Sequence, residues 1–302
     1  MSGNQAAWTA MGWSSRGETH IHRGLPNQDS IQIWRHGGKG QEVVVCVADG
    51  HGDPRSFRSK SGAQIATSTA RSLIREYTKT FEGGANPPAW VVENLQSRLP
   101  RQLVWEWRNR VDGWLSKKPL DRELDVLEAT HGQVARKQVE TWPYLAYGTT
   151  FNCVLATEGF LFCLKIGDGD FLLVEGEGTV RRPFETQEPA IGEETFSLCM
   201  EDASNHFDSR FEVLKGNSPM LVVVSTDGYR KSFAHDTDFE KVGSDLFNLV
   251  QSRGLETVRR NLPAWLRETS TNGSGDDITL ALVWRNGLPG SKPNALNPDS
   301  RR

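Results

Sequence analysis

The chain has 302 residues, 37% of them hydrophobic and 24% charged, with a formal net charge of -3. That is the composition of a globular protein with ample chain for a core, in one large domain or two small ones, and no global positive field advertises a nucleic-acid partner. The longest apolar runs are strand-sized, far below a membrane span, and the opening MSGNQAAWTAMGW lacks the basic-then-apolar layout of a signal peptide.

Short runs rich in Val, Leu, Ile and Phe, bounded by Gly, Asp or Asn, predict strands at 30–34, 42–48, 150–156, 159–166, 171–174, 220–225 and 278–284. Helical periodicity runs from about 56 to 80, 88 to 117, 121 to 140 and 236 to 266. Strands and helices come in blocks, which argues for an α+β layering of sheet against helices rather than regular βαβ winding. EGGANPP (82–88) reads as a turn between helices, and 286–302, without apolar periodicity, as a disordered tail. No internal repeat or low-complexity tract is evident. Trp90, Trp105, Trp107, Trp114 and Trp142 fall in the middle helices and are expected to pack them onto a sheet or onto each other, with a partner-binding surface as the alternative. Cys46, Cys153, Cys163 and Cys199 form no C-x-x-C pair and read as reduced core residues of a cytoplasmic protein.

Carboxylates recur where apolar runs stop. Asp49 ends VVVCVAD, Asp227 ends LVVVSTD, and Asp168 follows FLFCLKIG; each is followed by glycine. Asp29 precedes the first predicted strand, and Asp276 and Asp277 precede the last. Any one Asp-Gly is a common turn dipeptide. If the matching strands VCVADG and VVSTDG are neighbours, however, their carboxylates converge at one edge, and converging carboxylates repel and are costly to desolvate. A hard cation resolves the conflict: all-oxygen sites suit Mg²⁺ or Mn²⁺, and neither a zinc spacing nor an EF-hand loop is present. Glycine after the aspartate lets the backbone pass close to an ion.

ADGHG (48–52), YGTTFNCVL (147–155), KIGDGD (165–170), VVSTDGY (223–229) and GSGDDITLALV (273–283) occur in the order expected of the PP2C (PPM) family of metal-dependent serine/threonine phosphatases. The opening GETHIHRGLPNQDS (17–30) resembles that family's first motif in the form of a divergent bacterial subgroup. The resemblance spans roughly residues 12–285. It implies a four-layer αββα sandwich, two stacked antiparallel sheets with helices outside and metals in a cleft at one edge. It implies that Asp49 bridges two Mn²⁺ or Mg²⁺ ions, that the Gly50 carbonyl binds one, that Asp227 and Asp276 complete the centre, and that Asp29 holds an ion through water. Asp168 matches an aspartate that binds a third ion in some members. Asp277 stands where the family commonly has Asn, ordering the shell around the ions. His51 matches the general acid proposed for the leaving serine or threonine oxygen, a turn histidine hydrogen-bonded to a neighbour being the alternative. The partners implied are a phosphorylated protein substrate and a cognate kinase, acting on a monomer with no nucleic acid and no membrane.

The match departs at the first motif. Gln28 replaces an acid, and Gly24 falls where an arginine would grip the phosphate. Arg23, His20 and His22 are the nearby substitutes; HIH on a strand would put both histidines on one face. Asp170 adds charge beside the third-ion position. Residues 181–211 lie where the family carries a variable flap beside the cleft. The leading expectation is a phosphoprotein phosphatase. A catalytically weak phosphoprotein-binding module is the alternative suggested by the missing arginine, and an unrelated two-metal nuclease is disfavoured by the lack of a basic stripe.

Overall fold

The computed structural model describes residues 8–35, 42–79, 87–185, 195–215 and 218–286. The expected tail beyond residue 286, residues 186–194 of the expected flap and most of the 82–88 turn lie outside the described residues. The strands are β1 (Trp8–Ser15), β2 (Ser30–Arg35), β3 (Val43–Ala48), β4 (Phe151–Ala156), β5 (Phe160–Ile166), β6 (Asp170–Val174), β7 (Val180–Arg181), β8 (Asp208–Val213), β9 (Leu221–Ser225) and β10 (Ile278–Arg285). The helices are α1 (Glu18–His22), α2 (Ser59–Lys79), α3 (Ala89–Glu93), α4 (Leu99–Leu115), α5 (Asp121–Thr141), α6 (Asp227–Arg230), α7 (Asp236–Arg253) and α8 (Leu255–Asn272).

Two five-stranded antiparallel sheets form, in the orders β1-β10-β9-β6-β7 and β2-β3-β4-β5-β8. Val43, Val45 and Val47 of β3 face Val222, Val224, Ala281 and Val283 of the other sheet, so the two sheets share one dry interlayer. The alternate residues Val44, Cys46 and Ala48 face the side covered by α2, α4 and α5. The outer face of the β9–β10 sheet is closed by α7 and α8 through Phe239, Leu246, Leu262 and Leu266. Burial on both faces is why β3, β4 and β9 read as unbroken apolar runs rather than alternating ones. The layers are therefore helix, sheet, sheet, helix, as the four-layer expectation required.

Three strands escaped the sequence reading. β1 and β8 lie at sheet edges with half-exposed residues, and β7 is only Val180–Arg181. The single helix expected over 236–266 is two, separated at Gly254, whose φ of 79° is the left-handed geometry that ends α7. Of the middle tryptophans, Trp107 is fully buried and its Nε1 donates to the Gly62 carbonyl at 3.1 Å. Trp142 is partly buried and donates to the Cys199 carbonyl at 2.5 Å. Trp90, Trp105 and Trp114 are instead exposed, so the packing expectation does not hold for them. All four cysteines are buried thiols.

Register decides where the acids go. Ser30 pairs with Ala48, so Asp29 and Asp49 leave the β2–β3 pair at the same edge. Asp170 pairs with Ser225 and Ser15 with Ile278, so Asp168, Asp227, Asp276 and the start of α1 leave the second sheet at its corresponding edge.

Trp107→Ala is expected to cost about 3–5 kcal/mol in chemical denaturation, the cost of emptying a buried aromatic site. Trp105→Ala, at a position 62% exposed, is expected to stay within about 0.5 kcal/mol of wild type.

Candidate metal and phosphoryl site

At the shared sheet edge lies a cleft of about 650 Å³, lined by His20, Arg23, Asp49, Gly50, His51, Asp168, Asp227 and Asp276. Asp29 and Asp277 are buried behind its wall. Asp49 is aimed by the strand that delivers it. Its carbonyl accepts from Thr150 N (2.9 Å) and Thr149 Oγ1 (2.7 Å), and His51 N donates to the Gly148 carbonyl (3.1 Å). This stitches 49–51 to the start of β4 and leaves the Asp49 side chain facing the cleft. Gly50 is needed for closeness: a Cβ there would meet the Gln28 carbonyl and the Ser59 backbone at 2.8 Å.

Asp29 ties the two sheets together. Its Oδ2 accepts from Thr226 Oγ1 (2.9 Å), just beyond β9, and from Thr279 Oγ1 (2.7 Å) in β10. Its Oδ1 is buried without a partner, as is Oδ1 of Asp227. Asp277 is the opposite case. It accepts from Gly17 N (2.6 Å), Gln28 N (2.6 Å) and His20 Nδ1 (2.8 Å), so both its oxygens are satisfied and it fastens the 17–28 segment to β10.

Burial beside Asp29 and Asp227 pushes the Asp49 carboxyl well above the usual carboxylate range. Burial and the charge of Asp277 push Asp29 up to about 8, against the pull of its two hydroxyl donors. Burial and Asp227 push Asp168 up to about 6 and also raise Asp276. Asp227 is held low: burial opposes its charge, but the Lys231 ammonium, with the Asp49 and Asp168 carboxyls close by, outweighs it. His20 is raised by its hydrogen bond to Asp277, against burial.

Among the described residues no three acidic, imidazole or thiolate side chains stand together as a preassembled metal cage. The acids meet in pairs instead, with Asp227 in hydrogen-bonding reach of both Asp49 and Asp168. Two buried carboxylate oxygens without partners, in an all-oxygen donor set crowded with like charge, fit a hard divalent ion and do not fit zinc.

The first motif folds differently from its expected strand. Glu18–His22 is a short helix, because Gly17 N is captured by Asp277 and the chain turns at once over β10. His20 faces Asp277 and, at 3.8 Å, Asp276, whereas His22 is exposed beside Glu18 (3.2 Å); the two histidines do not share a face. Arg23 follows the helix on the exposed rim of the cleft. Gln28 donates to Ser59 Oγ (2.7 Å). Asp170 does not line the cleft; it pairs with Arg182 (3.5 Å) and Arg230 (3.6 Å). The sequence reading missed Lys231 and Lys60, which also line the cleft, and Thr195, which donates to Asp168 (3.0 Å). Lys231 stands four residues after Asp227, a legible spacing only once α6 is known to start at Asp227.

The sequence model of the family described as Protein phosphatase 2C matches residues 16–267. No curated relative matches the chain significantly. The fold resembles a bacterial serine phosphatase at 14% identity, with a TM-score of 0.58, covering 92% of this chain and 98% of that one. It also resembles the serine/threonine phosphatase Stp1 from Staphylococcus aureus at 15% identity, with a TM-score of 0.55 and coverage of 95% and 98%. A third similar structure is the catalytic domain of the serine/threonine phosphatase PstP in complex with two manganese ions, at 14% identity, a TM-score of 0.55 and coverage of 93% and 100%.

An acid whose carboxyl is raised by folding keeps a proton that the unfolded chain has released, so it subtracts stability as pH rises past the ordinary carboxylate range. For Asp29 that loss runs from about pH 4 to about 8, and Asp49, Asp168 and Asp276 act in the same direction while Asp227 opposes them. The metal-free protein is therefore expected to melt lower at pH 8 than at pH 5, and Mn²⁺ to raise the Tm more at pH 8. Asp49→Asn should raise the metal-free Tm at pH 8 and remove most of the Mn²⁺ response. A Tm independent of both pH and Mn²⁺ contradicts the assignment of these acids to an ion site.

Proposed function

Because the chain belongs to the protein phosphatase 2C family, we propose that it hydrolyses phosphoserine and phosphothreonine esters of proteins. Asp29, Asp49, the Gly50 carbonyl, Asp227 and Asp276 would hold two Mn²⁺ or Mg²⁺ ions. The supporting observation is the pair of buried, unpartnered carboxylate oxygens on Asp29 and Asp227 beside a crowded Asp49. Ions bound there would lower the pKa of an attacking water and offset the charge on the phosphoryl group.

The protein's own groups supply the rest. The water oxygen attacks phosphorus, the bond from phosphorus to the serine or threonine oxygen breaks, and His51 on the cleft wall gives that leaving oxygen its proton. Asp277 and His20 fix the 17–28 segment, which carries Asp29 inward and Arg23 outward. His20 Nδ1 is already engaged by Asp277, so Arg23 on the rim is the better candidate to hold the outer phosphate oxygens, which a guanidinium can do with two hydrogen bonds. Residues 12–285 form the phosphatase domain in this proposal. A phosphorylated protein paired with a cognate kinase is its substrate, and a cytoplasmic monomer is its working form.

A phosphothreonine peptide is expected to be turned over with Mn²⁺ or Mg²⁺, to be spared in excess EDTA, and to be turned over again on readdition of either ion. Turnover that survives EDTA, or returns with Zn²⁺ alone, contradicts the proposal. His51→Ala is expected to slow the phosphopeptide by about 10²–10⁴-fold and p-nitrophenyl phosphate much less, since that leaving group needs little protonation. Equal loss on both substrates assigns His51 to structure.

Arg23→Ala is expected to raise KM for the phosphopeptide while Mn²⁺ affinity stays constant. An unchanged KM means that the phosphate is held without Arg23.

A further inference from the structure

The acidic cleft already contains a cation of its own. Lys231 follows α6 directly, with its backbone N donating to the Asp227 carbonyl at 2.8 Å. Its Nζ contacts Asp227 Oδ2. The same ammonium shares the cleft with Asp168 and Asp49, whose charges act on it. The turn that carries it is fastened: Ser232 Oγ donates to the Gly228 carbonyl (2.8 Å) and bonds Ser274 Oγ (3.0 Å). The preceding residue is drawn the other way, Arg230 pairing with Asp236 at 2.7 Å. One of two adjacent cations is thus turned out of the cleft and the other into it.

We propose that Lys231 is a tethered cation that occupies the position between Asp168 and Asp227, so that the protein loads two divalent ions and excludes a third. This rests on the two-ion phosphatase reading above. Asp168 would otherwise be the natural acid for a further ion: it lines the cleft, is held by Thr195 and shares its surroundings with Asp227. An ammonium on Asp227 offers the missing positive charge without being lost to chelation, and it repels a divalent ion placed beside it. Asp29 Oδ1 and Asp227 Oδ1, which carry no hydrogen bond, stay available to the two ions.

The test is ion stoichiometry, read from free Mn²⁺ by electron paramagnetic resonance as the full chain is titrated into the millimolar range. Wild type and Lys231→Arg are expected to bind two ions. Lys231→Gln, which loses the charge at a side chain 56% exposed, is expected to bind a third, at an affinity at least about tenfold above that of any third ion on wild type. A third ion on wild type, bound as tightly as on the Gln variant, overturns the proposal. Two ions on both chains also overturn it, and both results leave the phosphatase reading standing. Failure of wild type to bind any Mn²⁺ defeats the two-ion reading, and this proposal with it.

Discussion

Five carboxylates brought to one edge of two sheets repel each other, and the site follows from how that repulsion is contained. Asp29 and Asp49 arrive from one sheet, Asp168, Asp227 and Asp276 from the other, and the interlayer of valines between the sheets fixes how closely they approach. Burial makes the crowding worse, because a charge withdrawn from water loses solvation that only a partner can replace. Without ions, burial and like charge push Asp29 and Asp49 toward the neutral form, and the Lys231 ammonium lies on Asp227. A site that pushes its own acids toward the neutral form is a site that would take up hard cations with release of protons.

Satisfaction of hydrogen bonds separates the acids by role. Asp277 has a donor for each oxygen and an imidazole besides, and nothing is left to offer an ion. Asp29 and Asp227 each have one oxygen engaged and one without a partner. Asp170, close by in sequence, also has one oxygen without a hydrogen bond, but it stands beside the guanidinium groups of Arg182 and Arg230, away from the cleft. Proximity in the chain therefore predicts little here; the donors that surround each carboxylate decide which ones remain reactive.

The sheet interiors were legible because β3, β4 and β9 are buried on both faces and leave continuous apolar runs, and the acids were legible because each follows such a run or precedes one. The edges were not. In β8 no side chain is fully buried and the half-buried ones come in adjacent pairs, and β1 mixes Trp8 and Met11 with Thr, Gly and Ser, so neither carries a clear period. The HIH segment misled for a tertiary reason: its helix is imposed by Asp277, which lies about 260 residues away. Lys231 was missed because a lysine just after a four-residue helix carries no periodic signal, and only the start of α6 at Asp227 places its ammonium on that acid. The exposed Trp90, Trp105 and Trp114 show the converse error, packing expected from the bulk of a side chain.

The departures from the family pattern at the first motif and at Asp277 are connected. Asp277 Oδ2 accepts from both Gln28 N and His20 Nδ1 while Oδ1 accepts from Gly17 N. An asparagine has one acceptor oxygen, so in either orientation its NH₂ would face a backbone donor. Here the carboxylate is required by the donors around it, and His20, raised by that carboxylate, answers its charge. With the aspartate and histidine paired, the 17–28 segment is held by an anchor made of protein groups alone. Gln28, in the place of an acid, then helps in the same task, its backbone N on Asp277 and its side chain on Ser59. A change at one of these positions removes the reason for the residue at the next, which is how a first motif can drift so far while Asp29 is still delivered to the same edge.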